Sequence, residues 1–250
     1  MKKLKIDPPA AALLLVGLTL STNAQNIFVA DAIKGTVSEF SSSGTSLGTF
    51  ASGLSIPYGL AFDSSGNLYV ANIGDGTVSE FSSSGTPLGT FASGLSNPYG
   101  LAFDNSGNLY VANGGNNTVS EFSSSGTPLG TFASGLASPI GLAFDSNGNL
   151  YVANGGGTTV SEFSSGGTPL GTFASGLGNP GGVAFDSSGN LYVANGIGTV
   201  SEFDSNGHLT DTLTGLTTPT FIAIRVVPEP SVLAVAGLGL TALLVVGRRK

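Results

Sequence analysis

The side chains that could do chemistry are few, and most of them recur at fixed places. Of 250 residues, 15 are acidic, 8 are basic and one is histidine, and cysteine is absent. Disulfide frameworks, thiol nucleophiles, Cys/His zinc sites and multi-histidine metal sites are excluded at once. Asp63, Asp104, Asp145 and Asp186 stand in D-x-x-G-N segments, and Glu39, Glu80, Glu121, Glu162 and Glu202 stand in T-V-S-E-F segments. The aspartates have the oxygen density of a calcium loop but lack the downstream bidentate Glu of an EF-hand, so turn capping is expected. The glutamates share one position and are expected to be solvated; contacts to calcium or to a neighbouring unit are the alternative. A second constellation sets Tyr58 and Tyr99 near Asn72, Asn113, Asn154 and Asn195. A ring beside an amide can stack on a sugar and hydrogen-bond its hydroxyls, whereas amides at strand ends can also simply satisfy turn backbones. His208 sits alone in a polar turn, Asp204 to Leu209, and no nucleophile elbow surrounds any serine. No catalytic residue, metal ligand or cofactor is assigned, and a non-enzymatic protein is expected.

What must position these groups is a repeat. The string NLYVAN starts at Asn67, Asn108, Asn149 and Asn190, with its relative NIFVAD at Asn26, so one unit recurs at a constant spacing. One unit, Pro57 to Ser96, breaks into four short runs separated by Gly, Ser, Asn and Asp, which predicts four strands. The first holds Gly59-Leu60-Ala61-Phe62. The second, Leu68-Tyr69-Val70-Ala71, is apolar on both faces and must be covered on both. The third, Thr77 to Phe81, and the fourth, Leu88 to Phe91, are progressively more polar. Buried inner strands and wetter outer ones are the pattern of propeller blades.

The run P-x-G-L-A-F-D-x-x-G-N-L-Y-V-A-N…T-V-S-E-F resembles the NHL repeat, whose blades build β-propellers. The resemblance covers residues 26–226 and implies a fold, not a function, because such propellers serve as binding platforms, lyases and lactonases. Strand counting gives three strands before Pro57, four complete units, and a lone first-strand sequence at Pro219 to Arg225. The expectation is an all-β, five-bladed β-propeller over residues 25–226, closed by pairing of the C-terminal strand with the N-terminal three strands. An open solenoid, or a ring completed by another chain, is the alternative. Strand direction places Tyr58 and Tyr99 on the face where the second-to-third-strand loops emerge. A hairpin centred near Ser65 puts them nearly opposite Asn72 and Asn113.

The ends read as addresses. Residues 1–24 combine Lys2, Lys3 and Lys5 with the apolar run Ala10–Leu20 and small residues up to Ala24, the pattern of a signal-peptide helix cut by signal peptidase before Gln25. Residues 227–250 carry Pro228-Glu229-Pro230, then uncharged residues 232–247, then Arg248-Arg249-Lys250. Such an uncharged run, about 24 Å long as a helix, is a short transmembrane helix whose basic tail stays cytoplasmic. The order of these parts resembles the PEP-CTERM sorting signal of Gram-negative bacterial exported proteins. That resemblance implies an exosortase-type sorting protease as partner, a transient inner-membrane anchor, and a cell-surface or extracellular-matrix destination. Residues 25–226 hold two basic residues against thirteen acidic ones, a net charge of −11, so nucleic acid is not an expected partner. The expected role is a multivalent binding or scaffolding module for a polysaccharide or surface protein. A propeller lyase or lactonase with a metal in the central channel, and a structural surface protein without ligand, are the alternatives.

Overall fold

The computed structural model describes residues 26–219 and residue 222. The expected leader with its cut at Ala24 and Gln25 lies outside the described residues. So does the tail with Pro228, Glu229, Pro230, Arg248 and Arg249, as does most of the closing strand.

Among the described residues nineteen strands form five sheets. Blade 1 has three: β1 (Ile27–Asp31), β2 (Thr36–Phe40) and β3 (Ser46–Ser52). Blade 2 has β4 (Pro57–Phe62), β5 (Leu68–Asn72), β6 (Thr77–Phe81) and β7 (Pro87–Ala92). Blade 3 has β8 (Pro98–Phe103), β9 (Leu109–Asn113), β10 (Thr118–Phe122) and β11 (Pro128–Ala133). Blade 4 has β12 (Pro139–Phe144), β13 (Leu150–Asn154), β14 (Thr159–Phe163) and β15 (Pro169–Ala174). Blade 5 has β16 (Pro180–Phe185), β17 (Leu191–Asn195), β18 (Thr199–Phe203) and β19 (Leu209–Leu213). Each sheet is an antiparallel meander in chain order, and residues of all five blades line one axial cavity. The described residues thus form an all-β, five-bladed propeller.

The doubly apolar second strand explains how blades stack. Leu68 and Val70 face blade 1, packing with Val37 and Ala51, while Tyr69 and Ala71 face blade 3, packing with Leu101, Leu109 and Val111. The same division recurs between blades 3 and 4 and between blades 4 and 5. Four apolar seams result, and burial of this area is the main stabilising term. At the axis the inner strands approach backbone to backbone. A Cβ on Gly59, Gly100 or Gly141 would collide with the carbonyl oxygen of Tyr99, Ile140 or Gly181 in the next blade, so a side chain there would push the blades apart.

The register Leu60↔Val70 follows the expected hairpin, but the pairing is irregular between Pro57 and Leu60, and Pro57 rather than Tyr58 pairs with Asn72. Tyr58 and Gly59 bulge from the ladder. Each inter-blade turn places its pre-proline residue at positive φ: Ile56 (52°), Asn97 (49°), Ser138 (44°), Asn179 (51°) and Thr218 (43°). Thr218 thus takes the same turn after blade 5 that leads into β4, β8, β12 and β16.

Candidate functional site

The predicted aromatic–amide site divides into two parts. Asn72, Asn113, Asn154 and Asn195 are 1%, 1%, 3% and 2% exposed, which removes them from any surface a sugar could touch. Their amides donate sideways into the blade: Asn72 Nδ2 to Thr77 Oγ1 (3.0 Å) and Ser79 Oγ (2.9 Å), and Asn195 Nδ2 to Thr199 Oγ1 (3.1 Å) and Ser201 Oγ (3.0 Å). Asn113 and Asn154 do the same. These amide bonds tie the second strand to hydroxyls of the third. Asn154 Oδ1 also accepts from the Ala137 amide at 3.1 Å, crossing to the loop that enters its blade. In blade 1 the equivalent Asp31 caps its turn by accepting from the amides of Ile33 and Lys34.

Tyr58 and Tyr99 do come together. Their rings meet edge to face, centroids 5.1 Å apart at 81°, and burial, then the neighbouring Tyr99, pushes the Tyr58 hydroxyl up. Tyr58 lines the axial cavity, about 650 Å³ in volume. The inner-strand glycines, Leu60, Leu101, Leu142 and Val183 build most of its wall, with Phe28 and Val29 from blade 1. Among the described residues the lining contains no carboxylate, imidazole or ammonium group. Blades 4 and 5 bring Ile140 and Gly181 to the place of the tyrosines, so the Tyr58–Tyr99 ring pair has no counterpart there.

The repeated carboxylates sit elsewhere. Asp63 Oδ1 accepts from the amides of Ser65 and Asn67, both at 2.8 Å, capping the first hairpin; Asp104, Asp145 and Asp186 repeat this. For Asp186 burial pushes the carboxyl up, but the amides of Asn190 and Ser188 outweigh it and hold the group below the ordinary 3.8. The glutamates are not merely solvated. Tyr69, Tyr110 and Tyr151 donate their hydroxyls to Glu80, Glu121 and Glu162 at 2.9, 2.8 and 2.8 Å. Asp63, Asp104 and Asp145 stand 3.5, 3.4 and 3.5 Å from the same hydroxyls. Burial first, then the glutamate, pushes these three phenols far up. Sequence reasoning missed this cross-link, although the signal was there: Tyr and Glu keep one spacing in blades 2, 3 and 4 and pair directly across the second and third strands. Among the described residues no group of three His, Cys, Asp or Glu side chains is placed to hold a metal ion. His208 is exposed, its Nδ1 3.3 Å from Asp204 Oδ2.

The same fold is found in known structures. A chain of a nidogen/laminin complex superimposes with a TM-score of 0.71 at 22% identity, covering 78% of this chain and 80% of that one. A gluconolactonase from Xanthomonas campestris gives 0.69 at 22% identity, covering 80% and 75%. A streptogramin B lyase gives 0.67 at 13% identity, covering 78% of this chain and 66% of the lyase. No protein-family model matches the chain, and no curated protein matches it. The class is therefore a β-propeller, a likeness of fold shared by binding proteins and enzymes.

Proposed function

We propose that the protein is an exported propeller that binds or scaffolds a polysaccharide or protein at the cell surface or in the extracellular matrix. The observation that supports this most is the axial cavity: largely apolar, lined on one side by Tyr58, on which Tyr99 packs, and without an acid or base in its described wall. Such a lining suits shape and stacking recognition rather than proton transfer or metal ligation. Near-identical blades 2 to 4 also offer equivalent loops for repeated weak contacts. Binding of the purified protein to a glycan and surface-polysaccharide array is expected to fall to background in the Tyr58→Ala/Tyr99→Ala variant, and unchanged binding rejects this site. A lactonase or lyase reading draws on the shared fold alone; bound metal together with lactone hydrolysis in the purified protein would replace the binding reading.

Two structural parts belong to the proposal. Residues 219–225 add an inner strand to β1 and close the ring. Supporting this are the left-handed turn at Thr218 and Ile222, which lines the axial cavity as the aligned Leu60, Leu101 and Leu142 do. A chain ending at Thr218 is expected to melt well below one ending at Val226, and equal melting temperatures reject closure. Residues 1–24 are removed by signal peptidase, and residues 227–250 serve as an exosortase-type sorting segment with a transient membrane anchor. Mass spectrometry of the mature termini tests both.

A further inference from the structure

The face that carries Tyr58 is not the same all round the ring. In blades 3 and 4 the loops between the second and third strands read Gly-Gly-Asn-Asn (residues 114–117) and Gly-Gly-Gly-Thr (residues 155–158). Blades 1 and 2 differ. The blade 1 loop carries Ile33, 98% exposed, and beside it Lys34, whose side chain is 76% exposed. Residues 73–76 of blade 2 read Ile-Gly-Asp-Gly, with Asp75 exposed, whereas the corresponding loops of blades 3, 4 and 5 carry no charge. Ile56, in the turn entering blade 2, is 50% exposed and lies against that loop. The Ile73 amide donates to the Ile56 carbonyl at 3.1 Å, and a Cβ on Gly74 would come within 3.2 Å of Ile56 Cγ1.

Neither isoleucine serves the isolated ring. Ile33 buries almost none of its side chain. Ile56 is β-branched at a φ of 52°, where other blades place Asn97, Ser138 and Asn179, so it costs backbone strain and still leaves half its surface in water. Strain kept at an exposed position is a mark of a functional surface. The two residues are also not scattered singly: they adjoin Ala32, Pro57 and Tyr58, which line the apolar axial cavity. The charges point to the partner. Lys34 reaches Asp31 at 3.2 Å and has further donors to offer, and Asp75 Oδ1 accepts only locally, from Thr77 Oγ1 at 2.8 Å. One cation and one anion, each beside an isoleucine and on adjacent blades, make a patch that complements itself after a two-fold rotation.

We propose that this patch is an isologous interface with a second copy of the chain. A two-fold axis through the seam between blades 1 and 2 lays Ile33 of one copy on Ile56 of the other and sets Lys34 against Asp75, each contact made twice. The proposal goes beyond the binding reading and does not need it to hold. Sedimentation equilibrium of the full chain in density-matched nonionic detergent tests it, and a dimer with a dissociation constant at or below about 0.1 mM is expected. Ile33→Asp is expected to weaken the dimer at least about tenfold, as is Ile56→Asn, although the latter relieves strain. Leu129→Asp, an equally drastic change at a 53% exposed residue on the outer strand of blade 3, leaves it unchanged. Lys34→Glu and Asp75→Lys each weaken it about tenfold or more, because like charges then face each other. An equimolar mixture of these two variants restores the dimer, since each supplies the charge the other lacks, and this rescue separates repulsion from a folding defect. A monomeric wild type, association that Ile33→Asp leaves intact, equal loss in Leu129→Asp, growth beyond the dimer, or no rescue in the mixture would each overturn the proposal. Glycan-array binding of the same variants reports on the axial site separately, so intact dimers without glycan binding reject only the binding reading, and the reverse rejects only this interface.

Discussion

Four seams of this propeller are sealed, and the fifth, between blade 5 and blade 1, is not sealed by the described residues. Leu68 and Val70 of β5 are wholly buried against blade 1, whereas Ile27 and Val29, their equivalents in β1, are 48% and 47% exposed. On the other side, Leu136 and Leu177 are buried while Leu216, at the same turn after blade 5, is 45% exposed. Phe91, Phe132 and Phe173 pack on Tyr69, Tyr110 and Tyr151, but β19 reads Leu-Thr-Asp-Thr-Leu and brings no ring to Tyr192. Repetition makes good neighbours of identical blades. The two ends of the array have edges of different chemistry, and something beyond the repeat must join them.

The largest expected effect separates the two kinds of seam directly. Leu109→Ala, in the seam between blades 2 and 3, is expected to cost about 3 kcal/mol in urea denaturation, and Ile27→Ala less than about 1 kcal/mol. Equal losses would mean that the fifth seam is as tightly packed as the rest. Next comes the cross-link: Tyr110→Phe removes the bond to Glu121 and is expected to destabilise by about 1 kcal/mol.

Relief of strain should act in the opposite direction. Ile56 is a β-branched residue at positive φ where Asn97 and Asn179 stand in other blades, so Ile56→Asn is expected to stabilise by about 1 kcal/mol. Thr218→Asn sharpens the comparison, because it matches that gain only if the chain leaving blade 5 is held in its turn as firmly as the chain entering blade 2.

The pH dependence should be the gentlest effect. Tyr69, Tyr110 and Tyr151 have raised folded-state pKa values. Their contribution is complete below the ordinary 10.0 and is lost as pH rises beyond it, since the unfolded chain ionises first. Phenolate absorbance during alkaline unfolding checks this: ionisation should coincide with unfolding, not precede it. At the acid end, the amide of His208 holds Asp204 low, and the amide of Lys34 holds Asp31 low. Stability present above the ordinary 3.8 is therefore lost as pH falls through their depressed values, which melting curves between neutral and acid pH would show.

Much of the fold was legible because it is local and repeated. The alternation in Thr77–Phe81, the doubly apolar Leu68–Ala71 and the turn glycine Gly66 each specify one strand or hairpin without reference to the rest of the chain. The site was less legible. Sequence spacing set Asn72 opposite Tyr58, but the bulge after Pro57 leaves Pro57 paired with Asn72, while the Asn72 amide donates into its own blade. The pairing of Tyr69 with Glu80 went unread because both residues looked sufficient alone, one as core and one as solvated charge.

By itself the sequence determined the strand content, the unit of the repeat, the number of blades and the acidic, cysteine-free chemistry, since each depends on short-range periodicity and composition. Only the tertiary structure decided which repeated side chains face an axis, a seam or water, because a blade acquires its two environments when neighbours cover it. It alone placed Tyr58 on a cavity wall and buried the asparagines. Those outcomes depend on a register shift, and packing between blades converts such local differences into distinct surfaces.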